Sequence, residues 1–292
     1  MLRVVLPKGS LEKATLELFA AADLAVIRSS DIDYRARIDD PRVGEVRILR
    51  PQEIPIYVAE GLFDIGITGR DWIEERGAKV ETLAELHYSK ATSNPISVVV
   101  AVGESSAATT LTDLKGSTVR VATEYPELTA RAFAQAGINA QISLSYGATE
   151  AKIPEIADCV VEITETGRAL RAAKLRVIHT ILLSNTELIA NPASAADPQK
   201  RHAMAQLTNL LLGTLEAREK VLVKLNVPAN RLEAVVGVLP SMRAPTVSEL
   251  AGGEGYALET VVPKSKINTL IPALKDAGAS DILELALAKI VH

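Results

Sequence analysis

The segment Asp158-Cys159-Val160-Val161-Glu162-Ile163-Thr164-Glu165-Thr166-Gly167-Arg168-Ala169-Leu170 admits few folds. Its first half is apolar and β-branched, the composition of a buried strand. Thr164 to Arg168 reads as a tight turn, and Arg168 to Ala173 has helix-forming composition. A strand that turns through hydroxyls and a glycine straight into a helix belongs to an α/β architecture. Backbone N–H groups at such a turn face outward, and the glycine lets an anion come close. The turn is a candidate phosphate cradle, although an ordinary strand–turn–helix with an N-cap has the same local pattern. Asp158 and Glu162 lie four residues apart and share one face of the strand. That face is read as holding ribose hydroxyls or a Mg²⁺ ion.

The chain repeats this grammar. Leu2 to Leu6 is a short apolar strand, Pro7 to Ser10 a turn, and Leu11, Thr15, Leu18 and Ala22 form one helical stripe. Val46 to Leu49 and Asp64 to Ile67 read as strands, with a helix starting on Pro55 between them. After a polar stretch near Ser89 to Pro95, strands at 96–102, 118–123 and 140–144 surround a helix at 126–136. These repeats predict a mainly parallel sheet in each of two lobes. Lobe I covers 1–91 and is completed by about 178–215, with Arg176 to Leu183 as the returning strand. Lobe II covers 92–177.

Beyond a helix at about 198–217 the pattern changes. Lys220 to Leu225 alternates with period two, and the following order is βαββαβ, a ferredoxin-like module over 218–292. The 292 residues suffice for these domains. With 48% apolar residues but only 3% aromatics, the core must be built from Val, Leu, Ile and Ala.

Composition also narrows function. A net charge of −4 without a basic run argues against nucleic-acid binding. The lone Cys159 sits in an apolar run and reads as a buried structural thiol in a reducing compartment. His87, His179, His202 and His292 are scattered without metal-ligand spacing. No apolar run has membrane length and no signal-peptide pattern opens the chain, so a cytoplasmic protein is expected.

Further candidates stand where strands end. Lys8 follows the first strand, a favoured place for a phosphate-binding lysine. Arg50 follows another and can clamp phosphate bidentately. Asp71 can orient a cation, accept from a nucleotide or cap a helix. Tyr125 can stack on adenine or pack a corner before Pro126. No Walker A spacing precedes Lys8.

These segments resemble the ATP phosphoribosyltransferase family. The resemblance rests on Leu6-Pro7-Lys8-Gly9-Ser10-Leu11, on Arg50 to Pro55 with Tyr57 and Gly61, and on Asp64 to Asp71. It continues through Tyr146 to Glu150 and the Asp158–Leu170 stretch. It implies a two-lobed, periplasmic-binding-protein-like core with an ACT-like C-terminal domain, the long form of the family. The implied reaction joins ATP and phosphoribosyl pyrophosphate, with Mg²⁺, in histidine biosynthesis. Asp158, Glu162, Lys8 and Arg50 would be catalytic, and Asp158 and Glu162 would carry any protein-bound metal. Glu165, Thr166, Gly167, Arg168, Ala169 and Leu170 would cradle the 5′-phosphate. Gly9, Asp71, Tyr125 and Glu150 would contact ATP. Departures are Ala169 and Ala148, where the family has hydroxyls. The segment Leu239 to Thr246 resembles the family's histidine site, with Met242, Ala244 and Thr246 as effector contacts, but departs at Ser241 and Ala244. Alternatively, that module serves subunit packing. The family's long form is a homohexamer inhibited by histidine, and AMP is a second candidate effector. Rival classes are a solute-binding module and a regulatory relative that has lost catalysis.

Overall fold

The computed structural model describes residues 1–30, 32–88, 95–240 and 244–292. Its strands begin with β1 (Leu2–Pro7), β2 (Val26–Ile27), β3 (Arg35–Ile38), β4 (Val43–Leu49), β5 (Ile65–Gly69) and β6 (Glu81–Leu86). They continue with β7 (Ile96–Gly103), β8 (Val119–Thr123), β9 (Ala140–Leu144), β10 (Cys159–Thr164), β11 (Leu175–Ser184) and β12 (Thr186–Ala190). The helices are α1 (Glu12–Ala21), α2 (Ile54–Ala59), α3 (Arg70–Arg76), α4 (Pro126–Gln135), α5 (Arg168–Ala172), α6 (Pro192–Ala196) and α7 (Pro198–Arg218). Then come β13 (Lys220–Val227), α8 (Leu232–Val238), β14 (Thr246–Glu249), β15 (Tyr256–Pro263), α9 (Ile267–Asp276) and β16 (Ser280–Ala286).

Residues 1–17 and 24–208 form one compact unit. It contains a seven-stranded sheet, ordered β2-β3-β4-β1-β5-β12-β6, and a five-stranded sheet, ordered β11-β7-β10-β8-β9. In the first, β4, β1 and β5 run parallel, and β12 is antiparallel to both β5 and β6. Helix α2 seats against the sheet at Gly66, where a Cβ would come within 2.8 Å of Ile54 and Val5 side-chain carbons. A larger residue there would overpack by about 1–3 kcal/mol.

In the second sheet β10 is central, parallel to β8 and antiparallel to β7. Cys159, Val160 and Val161 are fully buried, which explains a continuous apolar run where an amphipathic strand would alternate. One expectation is corrected here. The segment Arg176 to Leu183 does not return to the first sheet: it lies in β11, the edge of the second sheet, paired antiparallel with β7. The returning strand is β12, so the chain crosses at Asn185 as well as between β6 and β7.

Residues 18–23 and 209–292 form the second compact unit. Its βαββαβ order folds into an antiparallel sheet, β14-β15-β13-β16, the ferredoxin-like arrangement. Val221, Val223, Leu225 and Val227 alternate into a core closed by Val235, Leu270 and Leu274. The C-terminal tail returns to α7, where Ile290 donates to the Gly213 carbonyl at 2.9 Å. A Cβ at Gly213 would lie 2.8 Å from the Ile290 carbonyl oxygen, so this approach requires glycine.

Candidate active site

Strand direction places the carboxyl ends of β1, β4 and β5 on one edge of the first sheet. It places those of β8, β10 and β11 on one edge of the second. Ligands in open α/β sheets bind at such edges. A cavity of about 330 Å³ lies there, lined from the first sheet by Ser10, Leu11, Pro51, Gln52, Gly69, Asp71 and Trp72. Glu124, Tyr125, Ile163, Thr164 and Glu165 line it from the second. The two crossings contribute Leu86, His87, Tyr88 and Ile96, and Ser184, Asn185 and Thr186.

The loop after β10 has the geometry its composition suggests. Gly167 adopts φ +70° as the residue before α5, a conformation natural to glycine. Its N–H donates to Thr164 Oγ1 at 2.8 Å. Arg171 Nη2 donates to the Thr166 carbonyl at 2.8 Å, closing the turn from the far side. Leu170 anchors α5 in the core, while Thr166, Arg168 and Ala169 face solvent. Ala148, in place of a hydroxyl, sits at φ +47° before a short turn that carries Glu150.

Lys8 and Arg50 follow neighbouring parallel strands, paired at Pro7 and Leu49. The Lys8 N–H donates to the Leu49 carbonyl at 2.7 Å. The Lys8 ammonium lies 3.7 Å from Glu12 and 5.0 Å above the Tyr34 ring. Gly9 takes φ +86°, and Arg50 is exposed. Both cations flank the cavity edge at Ser10 and Pro51 and are not among its lining residues.

Glu162 is half-buried near the cleft end of β10. Burial pushes its carboxyl above the usual range and the negative charges of Glu124 and Glu150 add to this, opposed by the Ile163 N–H and Thr149. Asp158 is placed differently from the expectation. It precedes β10, about 13 Å along the strand from Glu162 at the spacing of an extended chain. Its carboxylate accepts from Arg120 Nη2 at 2.7 Å and from the Arg120 N–H at 2.8 Å, and this pairing lowers its pKa. Sharing a face therefore did not bring the two acids to one ligand. They do not fit a single Mg²⁺ ion either. Among the described residues no three His, Cys, Asp or Glu side chains converge as a metal site.

Asp71 and Tyr125 meet each other. The Asp71 carboxylate accepts from Tyr125 OH at 2.7 Å and from Ser184 Oγ at 2.6 Å. Burial, then the adjacent Asp71 charge, pushes the Tyr125 hydroxyl far above its ordinary range. Gly69 leaves room for this carboxylate, since a Cβ there would lie 2.1 Å from Asp71 Oδ1. One face of Tyr125 is taken by Trp72, with ring centroids 4.5 Å apart. The ring expected to stack on adenine is thus already in an aromatic pair.

A family model described as ATP phosphoribosyltransferase matches residues 50–213. The chain belongs to the ATP phosphoribosyltransferase family. A second model, the HisG C-terminal domain, matches residues 217–289. The ATP phosphoribosyltransferase of Pelotomaculum thermopropionicum is 45% identical over 291 residues, 99% of either chain. That of Desulforudis audaxviator is 46% identical over 292 residues, again 99% of either. Among solved structures, a chain of the ATP phosphoribosyl transferase (HisG:HisZ) complex from Thermotoga maritima superposes with TM-score 0.64 at 25% identity. It covers 74% of this chain and 99% of that one.

Several residues of the ATP phosphoribosyltransferase cleft escaped sequence reasoning. Trp72 and Glu124 flank the motifs, and Gln52 lies within one without an assigned role. His87, Tyr88, Ser184, Asn185 and Thr186 come from the crossings, which only the sheet topology brings to the cleft. Of the effector candidates, Ala244 is exposed and Thr246 opens the exposed strand β14. Met242, with Ser241, lies outside the described residues. No helix of the described chain is long and apolar enough to cross a membrane.

Proposed function

We propose that the protein transfers the phosphoribosyl group of phosphoribosyl pyrophosphate to N1 of ATP, giving N1-(5-phosphoribosyl)-ATP and pyrophosphate. This is the first step of histidine biosynthesis. The observation that carries the reading is one cavity at the strand ends, lined by Thr164 and Glu165 at the start of the loop after β10 and by Ser10, Pro51 and Gln52 beside Lys8 and Arg50. The bond from ribose C1 to pyrophosphate breaks as the adenine N1 lone pair attacks from the opposite face. Unprotonated N1 needs no strong base, so the protein's task is positioning and charge stabilisation. Gly167 and Thr166 receive the 5′-phosphate, and Glu162 orients the ribose hydroxyls. Lys8 and Arg50 balance the phosphates of pyrophosphate or ATP, while Gly9 and Glu150 complete the ATP contacts. Among the described residues the acids do not fit a cage for Mg²⁺, so the ion would be held by substrate oxygens and would supply charge neutralisation at the leaving pyrophosphate.

The C-terminal module supports a second element of the proposal, feedback inhibition by histidine within a homohexamer in the cytoplasm. Ala244 and Thr246 are its contacts in the described chain. AMP is a candidate for the ATP pocket.

The test supplies purified protein with ATP, phosphoribosyl pyrophosphate, Mg²⁺ and pyrophosphatase, with and without histidine. It follows phosphate release and the absorbance change of N1-alkylated adenine. Turnover suppressed by histidine is expected. Turnover indifferent to histidine would remove the effector site, and no turnover by folded protein would leave a binding or regulatory relative.

A further inference from the structure

Helix α4 begins without a cap of its own. The residue before it is Tyr125, whose side chain accepts nothing from the helix, and its first residue is Pro126. Helix starts leave the N–H groups of their second and third residues unpaired unless a Ser, Thr, Asp or Asn precedes them. Here those groups belong to Glu127 and Leu128. Both donate to Glu75, at 3.1 and 2.8 Å, across the cleft from α3. Glu75 is 3% exposed. Among the described residues it forms no ion pair. The positive end of α4 is what stabilises its charge.

Glu75 is one of several contacts that α3 makes with the second sheet and its helix α4. Asp71, one turn earlier, takes the Tyr125 hydroxyl. Trp72, between them, is packed in the apolar core of the second sheet beside Val98, Val100 and Leu128. Helix α3 starts directly from β5 of the first sheet, so this short helix links the two sheets beside the two chain crossings. The segment it holds, Glu124-Tyr125, is cavity lining.

We propose that Glu75 is a positioning residue for the transfer reaction: by capping α4 from the opposite sheet, it holds Glu124 and Tyr125 at the separation that receives ATP. A cap within α4 would stabilise the helix whatever the lobes do. A cap supplied across the cleft is satisfied only when the two edges stand together, so it couples helix stability to cleft geometry. The kinetic arm of this proposal rests on the reaction proposed above. The geometric arm does not.

The test uses Trp72, the chain's one tryptophan, as a built-in reporter of the cleft. Glu75→Ala is expected to shift Trp72 emission to longer wavelength, and saturating ATP to reverse the shift. It should raise the KM for ATP about tenfold, the scale of a lost cap, with kcat and the phosphoribosyl pyrophosphate KM within about twofold. Glu75→Gln keeps one of the two acceptor oxygens and should recover part of both effects. Unchanged emission and ATP KM in folded Glu75→Ala would overturn the proposal. So would a Glu75→Gln protein whose kcat and both KM values worsen together with its melting temperature, for Glu75 would then be a fold-stabilising cap alone. If the native protein shows no turnover, the reaction assigned above fails. The emission shift and its reversal by ATP then decide whether Glu75 sets the cleft.

Discussion

Strand β5 carries a buried carboxylate just beyond each end, and the two are held by different chemistry. Asp64, at the amino end, is met by cations. Arg3 Nη2 lies 3.1 Å away and Lys200 Nζ 2.8 Å, with Ser194 Oγ at 2.6 Å and the Arg3 N–H at 2.8 Å. Asp71, at the carboxyl end, is held by two hydroxyls and faces the cavity. Strand β10 repeats the contrast, with Asp158 saturated by Arg120 at its amino end and Glu162, Thr164 and Glu165 at its cleft end. The amino edges spend their charge on the fold. The carboxyl edges keep polar groups in reach of a ligand, as the crevices at strand ends of open α/β sheets do. Position along a strand thus separates structural from chemical carboxylates where residue type cannot.

The comparison breaks most visibly if Glu162 is dispensable. Glu162→Gln keeps the size of the side chain and removes the charge. It is expected to lower kcat about 100-fold, the scale of one lost transition-state contact, while the melting temperature stays near that of the native protein. Single-turnover kinetics with ATP and phosphoribosyl pyrophosphate check this. A native rate would move the working acid to Glu165 or Glu124.

Asp64→Asn should do the reverse. Removing one member of a buried ion network leaves Arg3 and Lys200 without their counter-charge, at a cost of about 3 kcal/mol, with kcat preserved in the folded fraction. The effect depends on pH. Hydrogen bonds from Arg3, Lys200 and Ser194 hold the Asp64 carboxyl well below its ordinary value of 3.8, against the opposing effect of burial. A depressed folded pKa stabilises the protein at all pH values above the unfolded pKa and is lost as pH falls towards the folded one. Urea midpoints of native and variant protein should therefore differ at neutral pH and draw together progressively as pH falls below the unfolded value of 3.8 towards the folded pKa. A difference that persists unchanged in acid would mean that the carboxylate charge is not what stabilises this edge.

How far such a map was legible in the sequence depends on the range of the contacts. Local signals served well. The alternation of Val221, Val223 and Leu225 marked an amphipathic strand, and Thr164 to Gly167 announced a turn into a helix. Long-range pairings were hidden. β12 is fully buried between β5 and β6, yet Thr186 and Glu187 interrupt its apolar run, which leaves the strand without a clear local pattern. Glu187 is tolerated because Thr82 Oγ1 donates to it at 2.7 Å, from a strand more than 100 residues earlier. The same blindness misplaced Asp158. Its partner Arg120 lies on a neighbouring strand, so the pairing that occupies Asp158 is not written in the local sequence. Trp72 and Tyr125 are likewise joined only by tertiary packing.

Asp158 supplies the smallest and most discriminating effect. Its pair with Arg120 is nearly half exposed on both sides, so solvent and salt screen it, and such pairs contribute about 0–1 kcal/mol. Arg120 also donates to the Glu155 and Pro154 carbonyls, which keeps its guanidinium in place without the acid. Asp158→Asn should thus lower stability by less than about 1 kcal/mol, and less again in high salt. Its kcat and both KM values should stay within about twofold of native, since side chains at the far end of an extended strand cannot reach a ligand at the near end. Paired steady-state assays of Asp158→Asn and Glu162→Gln read the strand from both ends. Loss of turnover in both would place a ligand along the whole of β10 and erase the division between its two edges.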